Sequence, residues 1–138
     1  MDPKSIIPHR PPFLFLDEVT SIEPGKEANG YCKLTVDEWF FEGHFPNRPT
    51  LPGVLMVEAL AQLGACAVLL DGRFAGKLPL FGGIDRARFR RQVLPQDQLD
   101  LEITMTRLGS KGGTGSGRAS VNGQLAAEVD ILFVVVSM

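Results

Sequence analysis

The chain has 138 residues and a mass of 15.0 kDa, with 44% hydrophobic and 22% charged residues. These values predict one ordinary globular domain over residues 1–138, and they exclude a disordered segment or a multidomain enzyme. A formal net charge of −2 gives no sign of a nucleic-acid-binding protein.

The first third of the chain predicts a short helix and two strands. Asp2 and Pro3 are suited to the N-cap and first position of a helix. Residues 13–23 are apolar and β-branched, as expected of a strand, and a Pro-Gly turn follows them. Residues 28–36 alternate between two faces, which is the period of a second strand.

The middle of the chain predicts a loop and then a buried helix. Residues 37–52 have no regular period and contain several prolines, so they predict a long ordered loop, and such loops often carry function. Residues 54–70 predict a helix in which only Glu58 and Gln62 are strongly polar. A helix that is apolar nearly all round is expected to be buried rather than to lie on the surface.

The remainder of the chain predicts strands only. Four segments have strand character, namely residues 80–93, 99–108, 118–121 and 124–136. Asn122-Gly123 is a strong two-residue hairpin signal, and the glycine-rich run from Gly109 predicts a turn with a bulged or flexible strand entry. One long buried helix with about six strands predicts an α+β fold, in which a curled antiparallel sheet surrounds the helix.

Two side chains near the loop and the helix are candidates for acid–base chemistry. Glu58 has no basic residue on its own helix, so burial would favour its neutral, proton-donating form. The alternative is a structural Glu58 that bonds to loop backbone or to Gln62. His44 lies in the proline-rich loop, and imidazole is the side chain that exchanges protons near neutral pH. His9, which lies among prolines, is interpreted as structural.

The helix start and one strand could bind anionic groups. Gly53 follows a proline at the helix start, where the first amides lack internal partners and a glycine permits close approach of a ligand. The site could therefore stabilise a carbonyl oxygen, although a plain helix start is the alternative. Arg86, Arg88 and Arg90 share one face of a predicted strand, which favours docking of an anionic partner over nucleic acid. A solvated face is the alternative here.

Cysteine and histidine are too scarce for a structural metal site. The chain has two of each and no CxxC motif, so we expect no zinc site and reduced thiols at Cys32 and Cys66. The N-terminus lacks the basic start and apolar run of a signal peptide, and the predicted helix is short for a membrane crossing. The expected location is therefore the cytoplasm, with no membrane contact.

Three segments together carry a family resemblance. They read PHRPPFLFLDEV (residues 8–19), GHFPNRPTLPGVLMVEALAQ (residues 43–62) and FGGIDRARFRRQVLPQDQL (residues 81–99). In this order they resemble the FabZ-type 3-hydroxyacyl-[acyl-carrier-protein] dehydratases of bacterial fatty-acid synthesis over nearly the whole chain. The resemblance implies a hot-dog fold. One departure is Leu80, since many relatives have a tyrosine there, near the mouth of the acyl tunnel.

The resemblance also implies a reaction, which is dehydration of a (3R)-hydroxyacyl thioester to the trans-2-enoyl thioester. It makes His44 the base, Glu58 the acid, Gly53 and Val54 the amides at the thioester carbonyl, and Gln62 the residue that orients Glu58. The histidine and the glutamate of one site would come from different protomers of a homodimer, which commonly assembles into a hexamer. No metal or organic cofactor is implied, and an acidic acyl carrier protein is the implied partner of the arginine face.

Three other functions stay open at this point. A hot-dog thioesterase would use a carboxylate and water to release a free thiol. An isomerase would move the double bond from position 2 to position 3. A non-catalytic acyl-binding module would share the apolar tunnel but would have no use for an acid–base pair.

Overall fold

Six strands form one antiparallel sheet in the order β1-β2-β4-β5-β6-β3, in a computed structural model that describes residues 1–138. The strands are β1 Glu18–Glu23, β2 Glu27–Lys33, β3 Lys77–Phe89, β4 Gln98–Gly109, β5 Gly112–Val121 and β6 Gln124–Ser137. The helices are α1 Trp39–Gly43 and α2 Gly53–Leu69, with short 3-10 turns at Pro3–Ser5 and Gly72–Phe74.

Helix α2 lies at the centre of the core. Eleven of its 17 residues are buried, and all six strands contact it, so the sheet curls around the helix as predicted. A Cβ atom at Gly117 of β5 would lie 3.2 Å from the Leu60 side chain, so the glycine allows the strand to approach the helix closely. This is the hot-dog architecture. No helix in the structure has the length and hydropathy needed to span a bilayer.

The hairpin of β5 and β6 is longer than predicted. Asn122 and Gly123 have φ values of 50° and 78°, as a two-residue hairpin turn requires. However, β5 begins at Gly112 rather than at residue 118, because its glycine-rich half pairs with β4 on one side and with β6 on the other. Hydrogen bonding to two neighbours thus overrides the low strand propensity of glycine.

The N-terminal half shows two other differences from the sequence-based prediction. Strand β1 begins at Glu18, so residues 13–17 are not part of it, and their backbone is used by a side chain of α2 as described below. The predicted loop over residues 37–52 contains the short helix α1. The predicted capping of the first turn by Asp2 is present, since the Asp2 side chain accepts a hydrogen bond from the backbone N–H of Lys4.

Strand β3 forms an exposed apolar edge of the sheet. None of its 13 residues is buried, and it pairs only with β6. Leu80, Phe81, Ile84 and Phe89 are between 43% and 50% exposed. Long apolar edge strands are normally covered, because their free backbone groups and side chains otherwise promote association.

Both cysteines are free and buried, in β2 and α2. Burial raises the pKa of Cys32 and of Cys66 from 9.0 to about 12, and the carboxylates of Asp17 and Glu38 add to the effect at Cys32. Between pH 9 and 12 the unfolded thiols ionise while the folded ones stay protonated. The stabilising contribution is therefore complete below pH 9 and is lost as the pH rises through this range.

We predict that a thiol reagent such as dithionitrobenzoate reacts slowly with the native protein at pH 8 and rapidly once guanidinium unfolds it. The reason is that neither thiol is accessible or ionised in the folded state. The measurement is the absorbance of the released thiolate over time, with the unfolded protein as the control. Immediate reaction of either thiol in the native protein would contradict the assigned burial.

Candidate active site

Glu58 lies at one end of an apolar cavity of about 160 Å³ between α2 and strands β3, β4 and β6. Most of the lining side chains are hydrophobic, and the polar exceptions are Glu58, Gln62 and His9. The Glu58 side chain is only 18% exposed, and no lysine or arginine lines the cavity. A single carboxyl group therefore stands at the end of a space suited to a hydrocarbon chain.

Gln62 holds Glu58 through a side-chain amide whose oxygen and nitrogen are both hydrogen-bonded. The backbone N–H of Phe15 donates to Gln62 Oε1 at 2.8 Å, and Gln62 Nε2 donates to the Phe13 carbonyl at 3.1 Å. The same Nε2 donates to Glu58 Oε2 at 2.9 Å. The two backbone bonds fix which end of the amide faces Glu58, so Gln62 can only donate to the carboxyl group.

This arrangement decides where a proton on Glu58 would sit. Oε2 is occupied as an acceptor by the Gln62 N–H, so the neutral acid carries its proton on Oε1. Oε1 has no hydrogen-bond partner within the chain, and Gln62 therefore leaves it free to act on a molecule in the cavity.

His9, which we interpreted as structural from its sequence context, also lines this cavity. Its Nε2 lies 4.0 Å from Glu58 Oε2, and its Nδ1 is buried without a hydrogen-bond partner. Arg10 fixes the local backbone by donating to the carbonyls of Ile7 at 3.0 Å and His9 at 2.7 Å. No local pattern indicated the proximity of His9 to Glu58, since it results from docking the N-terminal segment on α2.

His44 lies in a second, open groove and is held by Thr50. The Thr50 N–H donates to the His44 carbonyl at 2.8 Å, and His44 Nδ1 lies 2.8 Å from the Thr50 carbonyl. A carbonyl oxygen only accepts, so Nδ1 carries the proton in the neutral ring and Nε2 keeps its lone pair. The ring of Phe45 stacks on the imidazole with centroids 4.1 Å apart. Nε2 is therefore the ring nitrogen that is free to accept a proton.

The start of α2 lines the same groove as His44. Gly53 and Val54 are lining residues, and their backbone N–H groups make no hydrogen bond within the chain. A Cβ atom at Gly53 would lie 2.9 Å from the Phe89 ring, so the glycine makes room for that aromatic side chain. Close packing of Phe89 thus explains the glycine in this chain, in addition to the predicted approach of a ligand.

The arginine face is partly neutralised by carboxylates of β6, and Asp130 is the cross-strand neighbour of Arg86. Glu128 lies 2.8 Å from Arg90 and 3.6 Å from Arg86, and Arg88 is its direct cross-strand neighbour without an ion pair of its own. The Arg90 hydrogen bond, assisted by the charges of Arg86 and Arg118, lowers the pKa of Glu128. The three arginines and Arg118 thus share a face with two carboxylates, Glu128 and Asp130, which leaves an excess of positive charge.

The structure therefore assembles the predicted residues into two separate groups. Glu58 and Gln62 line the apolar cavity, whereas His44, Gly53 and Val54 line the open groove. No lining residue is shared between the two spaces, so a single chain does not bring His44 and Glu58 into one cavity. No cluster of three or more His, Cys, Asp or Glu side chains is arranged to hold a metal ion.

Comparison with known proteins places this architecture in a family. Residues 7–130 match the model of the FabA-like domain. A curated 3-hydroxyacyl-[acyl-carrier-protein] dehydratase FabZ from Clostridium botulinum (strain Okra / Type B1) is 52% identical over 132 residues, covering 96% of this chain and 92% of the relative. A protein of the same name from Clostridium novyi (strain NT) is also 52% identical, with 96% and 93% coverage.

Solved structures share the fold at much lower identity. The dehydratase heterocomplex ApeI:P from Xenorhabdus doucetiae has a TM-score of 0.81 at 17% identity, covering 97% of this chain and 90% of that one. A hypothetical thioesterase with coenzyme A from Streptococcus pneumoniae TIGR4 has a TM-score of 0.68 at 9% identity, with 88% and 86% coverage. At these identities the likeness concerns the fold alone.

The chain belongs to the FabA-like family. Within it, the half-identical relatives that span almost the whole chain are FabZ dehydratases, so the resemblance seen in the sequence is confirmed and the protein is an enzyme of that type.

We predict that Gln62→Met destabilises the fold by about 2 kcal/mol, because the Phe15 N–H and the Phe13 carbonyl lose their buried partner while the side-chain volume is kept. Denaturant unfolding followed by circular dichroism measures the change. The control is Gln98→Met at an exposed position of β4, for which we expect a change within about 0.5 kcal/mol. Equal stability of the two variants would contradict the assigned role of the buried amide.

Proposed function

We propose that this protein dehydrates 3-hydroxyacyl thioesters carried on acyl carrier protein, at sites that each combine His44 of one protomer with Glu58 of another. The observation that carries the proposal is the lone carboxyl group of Glu58, oriented by Gln62 at the end of an apolar cavity. The relatives named as dehydratases of acyl-carrier-protein substrates give the substrate class.

The oriented side chains suit each step of an elimination. His44 Nε2 takes the proton from C2 of the substrate, and the C2–H electron pair forms the C2–C3 double bond. The C3–O bond breaks, and Glu58 donates its Oε1 proton to the departing hydroxyl, which leaves as water. Charge that develops on the C1 oxygen is stabilised by the free N–H groups of Gly53 and Val54. Gln62 keeps its bond to Oε2 throughout, in either protonation state of Glu58.

The starting state is restored by one proton transfer. After elimination His44 is protonated and Glu58 is ionised, so a proton must pass from the imidazolium to the carboxylate directly or through water. A dry cavity strengthens both the acid and the base interactions, since nearby charges are less screened there.

The division of the site between two cavities favours a homodimer. Each chain holds half of the chemical groups, and a two-fold axis would supply the other half to both cavities at once. Strand β3 supplies a plausible contact, because it is an exposed edge whose Leu80 and Phe81 also line the Glu58 cavity. Further assembly into a hexamer and a cytoplasmic location belong to the same proposal, and light scattering of the purified protein tests the assembly.

The arginine face is the proposed docking surface for the acidic carrier. Arg86, Arg88 and Arg90 lie beside Phe89 and Arg91, and these two residues line the His44 groove. A carrier bound there would therefore be close to the groove through which its acyl arm must enter. Charge attraction of this kind acts mainly on association and weakens with salt.

The direct test is product analysis with a 3-hydroxyacyl thioester. We expect absorbance of a conjugated trans-2-enoyl thioester and no free thiol. Release of free thiol would indicate a thioesterase, a shifted double bond would indicate an isomerase, and an unchanged substrate that nevertheless binds would indicate a non-catalytic module. Each of these last outcomes contradicts dehydration as the sole activity.

The two-protomer site makes a sharper prediction. We expect His44→Ala and Glu58→Gln each to lose at least about a hundredfold in kcat, because each removes a proton-transfer group. Co-expression of the two variants in equal amounts should restore about a quarter of the wild-type activity, since half of the sites have an intact histidine and half of those an intact glutamate. Mixing the separately purified variants without subunit exchange is the control. No recovery after co-expression would place both residues of a site in one chain.

We also predict that Arg88→Glu raises KM for the carrier-linked substrate by roughly fivefold and leaves KM for the coenzyme A thioester unchanged. Arg88 is chosen because it has no ion pair to break. Arg107→Glu makes the same charge change near the far end of β4 and is the matched control. Equal effects on both substrates, or equal effects of both variants, would remove the docking assignment.

A further inference from the structure

The Glu58 cavity extends along one face of α2. Glu58, Ala61, Ala65 and Val68 are spaced by three or four residues and all line the cavity. With a rise of 1.5 Å per residue, Val68 lies about 15 Å along the helix from Glu58. The residues that line the distal part are Val68, Met105, Ile131 and Phe133.

Met105 differs from the other distal residues in its freedom to move. Val68 and Phe133 are buried and pack together with Phe74 in a small cluster of their own. Met105 is only partly buried against the core, and a methionine has an unbranched side chain that adapts to irregular space. Among these residues, Met105 is therefore the one whose side chain can change the depth of the cavity with the least rearrangement of its neighbours.

Two glycines make the room that the Met105 side chain occupies. A Cβ atom at Gly115 of β5 would lie 3.0 Å from Met105 Cε and 3.6 Å from Met105 Sδ. A Cβ atom at Gly64 of α2 would lie 3.5 Å from the same Cε. The methyl group thus sits between the backbones of a helix and a strand.

Neither glycine is required by its φ angle, and a Cβ atom at Gly115 would also lie 3.3 Å from the backbone oxygen of Thr104. Gly64 lies inside α2 and Gly115 inside β5, and neither has the positive φ that favours glycine. Glycine inside a helix or a strand destabilises that element relative to alanine. The space that the two glycines leave for the Met105 side chain offsets this loss of stability.

We propose that Met105 is the adjustable end wall of the acyl-binding cavity and sets the longest acyl chain that the enzyme accepts. The inference rests on the proposed function in assuming that the cavity holds the acyl chain. An acyl chain that reaches Met105 meets its thioether, which cannot retreat because the backbones of Gly64 and Gly115 lie behind it.

The proposal predicts opposite shifts from two substitutions. Met105→Ala removes three heavy atoms and opens room for about two methylenes, each worth about fourfold in binding. We expect kcat/KM for an acyl chain two carbons beyond the wild-type optimum to rise roughly tenfold relative to the shortest substrate. Gly115→Ala places a methyl group against Met105, pushes its side chain into the cavity and shifts the preference toward shorter chains.

The double variant separates this mechanism from a general loosening of the fold. In the Met105→Ala background there is no thioether to displace, so Gly115→Ala should leave the chain-length profile unchanged. Ile103→Val is the matched control. Ile103 also points from β4 toward α2, since a Cβ atom at Gly64 would lie 3.0 Å from Ile103 Cδ1. Unlike Met105, however, Ile103 does not line the cavity. We expect lower stability from this control and an unchanged profile.

The experiment has two readouts, so that its failure differs from failure of the proposed function. One is dehydration of 3-hydroxyacyl thioesters with acyl chains from four to sixteen carbons. The other is displacement of an apolar fluorescent dye from the cavity by fatty acids of the same lengths, which needs no catalysis. If the wild type dehydrates no substrate, the proposed function fails and the dye readout alone decides the role of Met105. If the wild type is active but both profiles stay fixed in Met105→Ala and Gly115→Ala, the proposal is wrong.

Discussion

The buried amide of Gln62 is the interaction on which the arrangement of the Glu58 cavity depends. It lies inside a helix that is otherwise apolar, where a polar group is stable only if its hydrogen bonds are made. Its partners are the backbone of residues 13 and 15 and the carboxyl group of Glu58. The same side chain therefore docks the N-terminal segment on α2, brings His9 to the cavity and orients Glu58. Folding of the N-terminal segment and the orientation of Glu58 are thus determined together.

His44 depends on a different constraint, which is local rather than central. Thr50 binds both the backbone and the ring of His44. Within the short segment between these two residues, the backbones of Phe45 and Arg48 also bond to each other. His44 is thereby fixed in the segment before α2, while Glu58 lies in the second turn of the helix itself. The two side chains face different cavities. A symmetric pair of chains is the simplest arrangement that brings such groups together.

The sequence predicted the helix and the sheet well, because those features follow from local patterns. The predicted helix over residues 54–70 differs from α2 by one residue at each end. The sequence-based prediction failed where a contact with a residue far away in the sequence determines the structure. Residues 13–17 have strand-like side chains, but Gln62 binds the Phe13 carbonyl and the Phe15 N–H, which a neighbouring strand would otherwise pair with. The glycines of β5 have low strand propensity, yet two neighbouring strands pair with them. The proximity of His9 to Glu58 is likewise a tertiary contact without a local signal.

The glycines near α2 show how this fold can vary its substrate while keeping its chemistry. Gly117 brings β5 close to Leu60 and holds the sheet against the helix, whereas Gly115, two residues away on the same face, leaves space beside Met105. Gly117 is constrained by packing in the core. Gly115 instead lies beside Met105, which lines a cavity whose size can change. Glu58 and Gln62 lie at the opposite end of that cavity. A change at the distal end therefore alters the size of the cavity without disturbing the hydrogen bonds that orient Glu58.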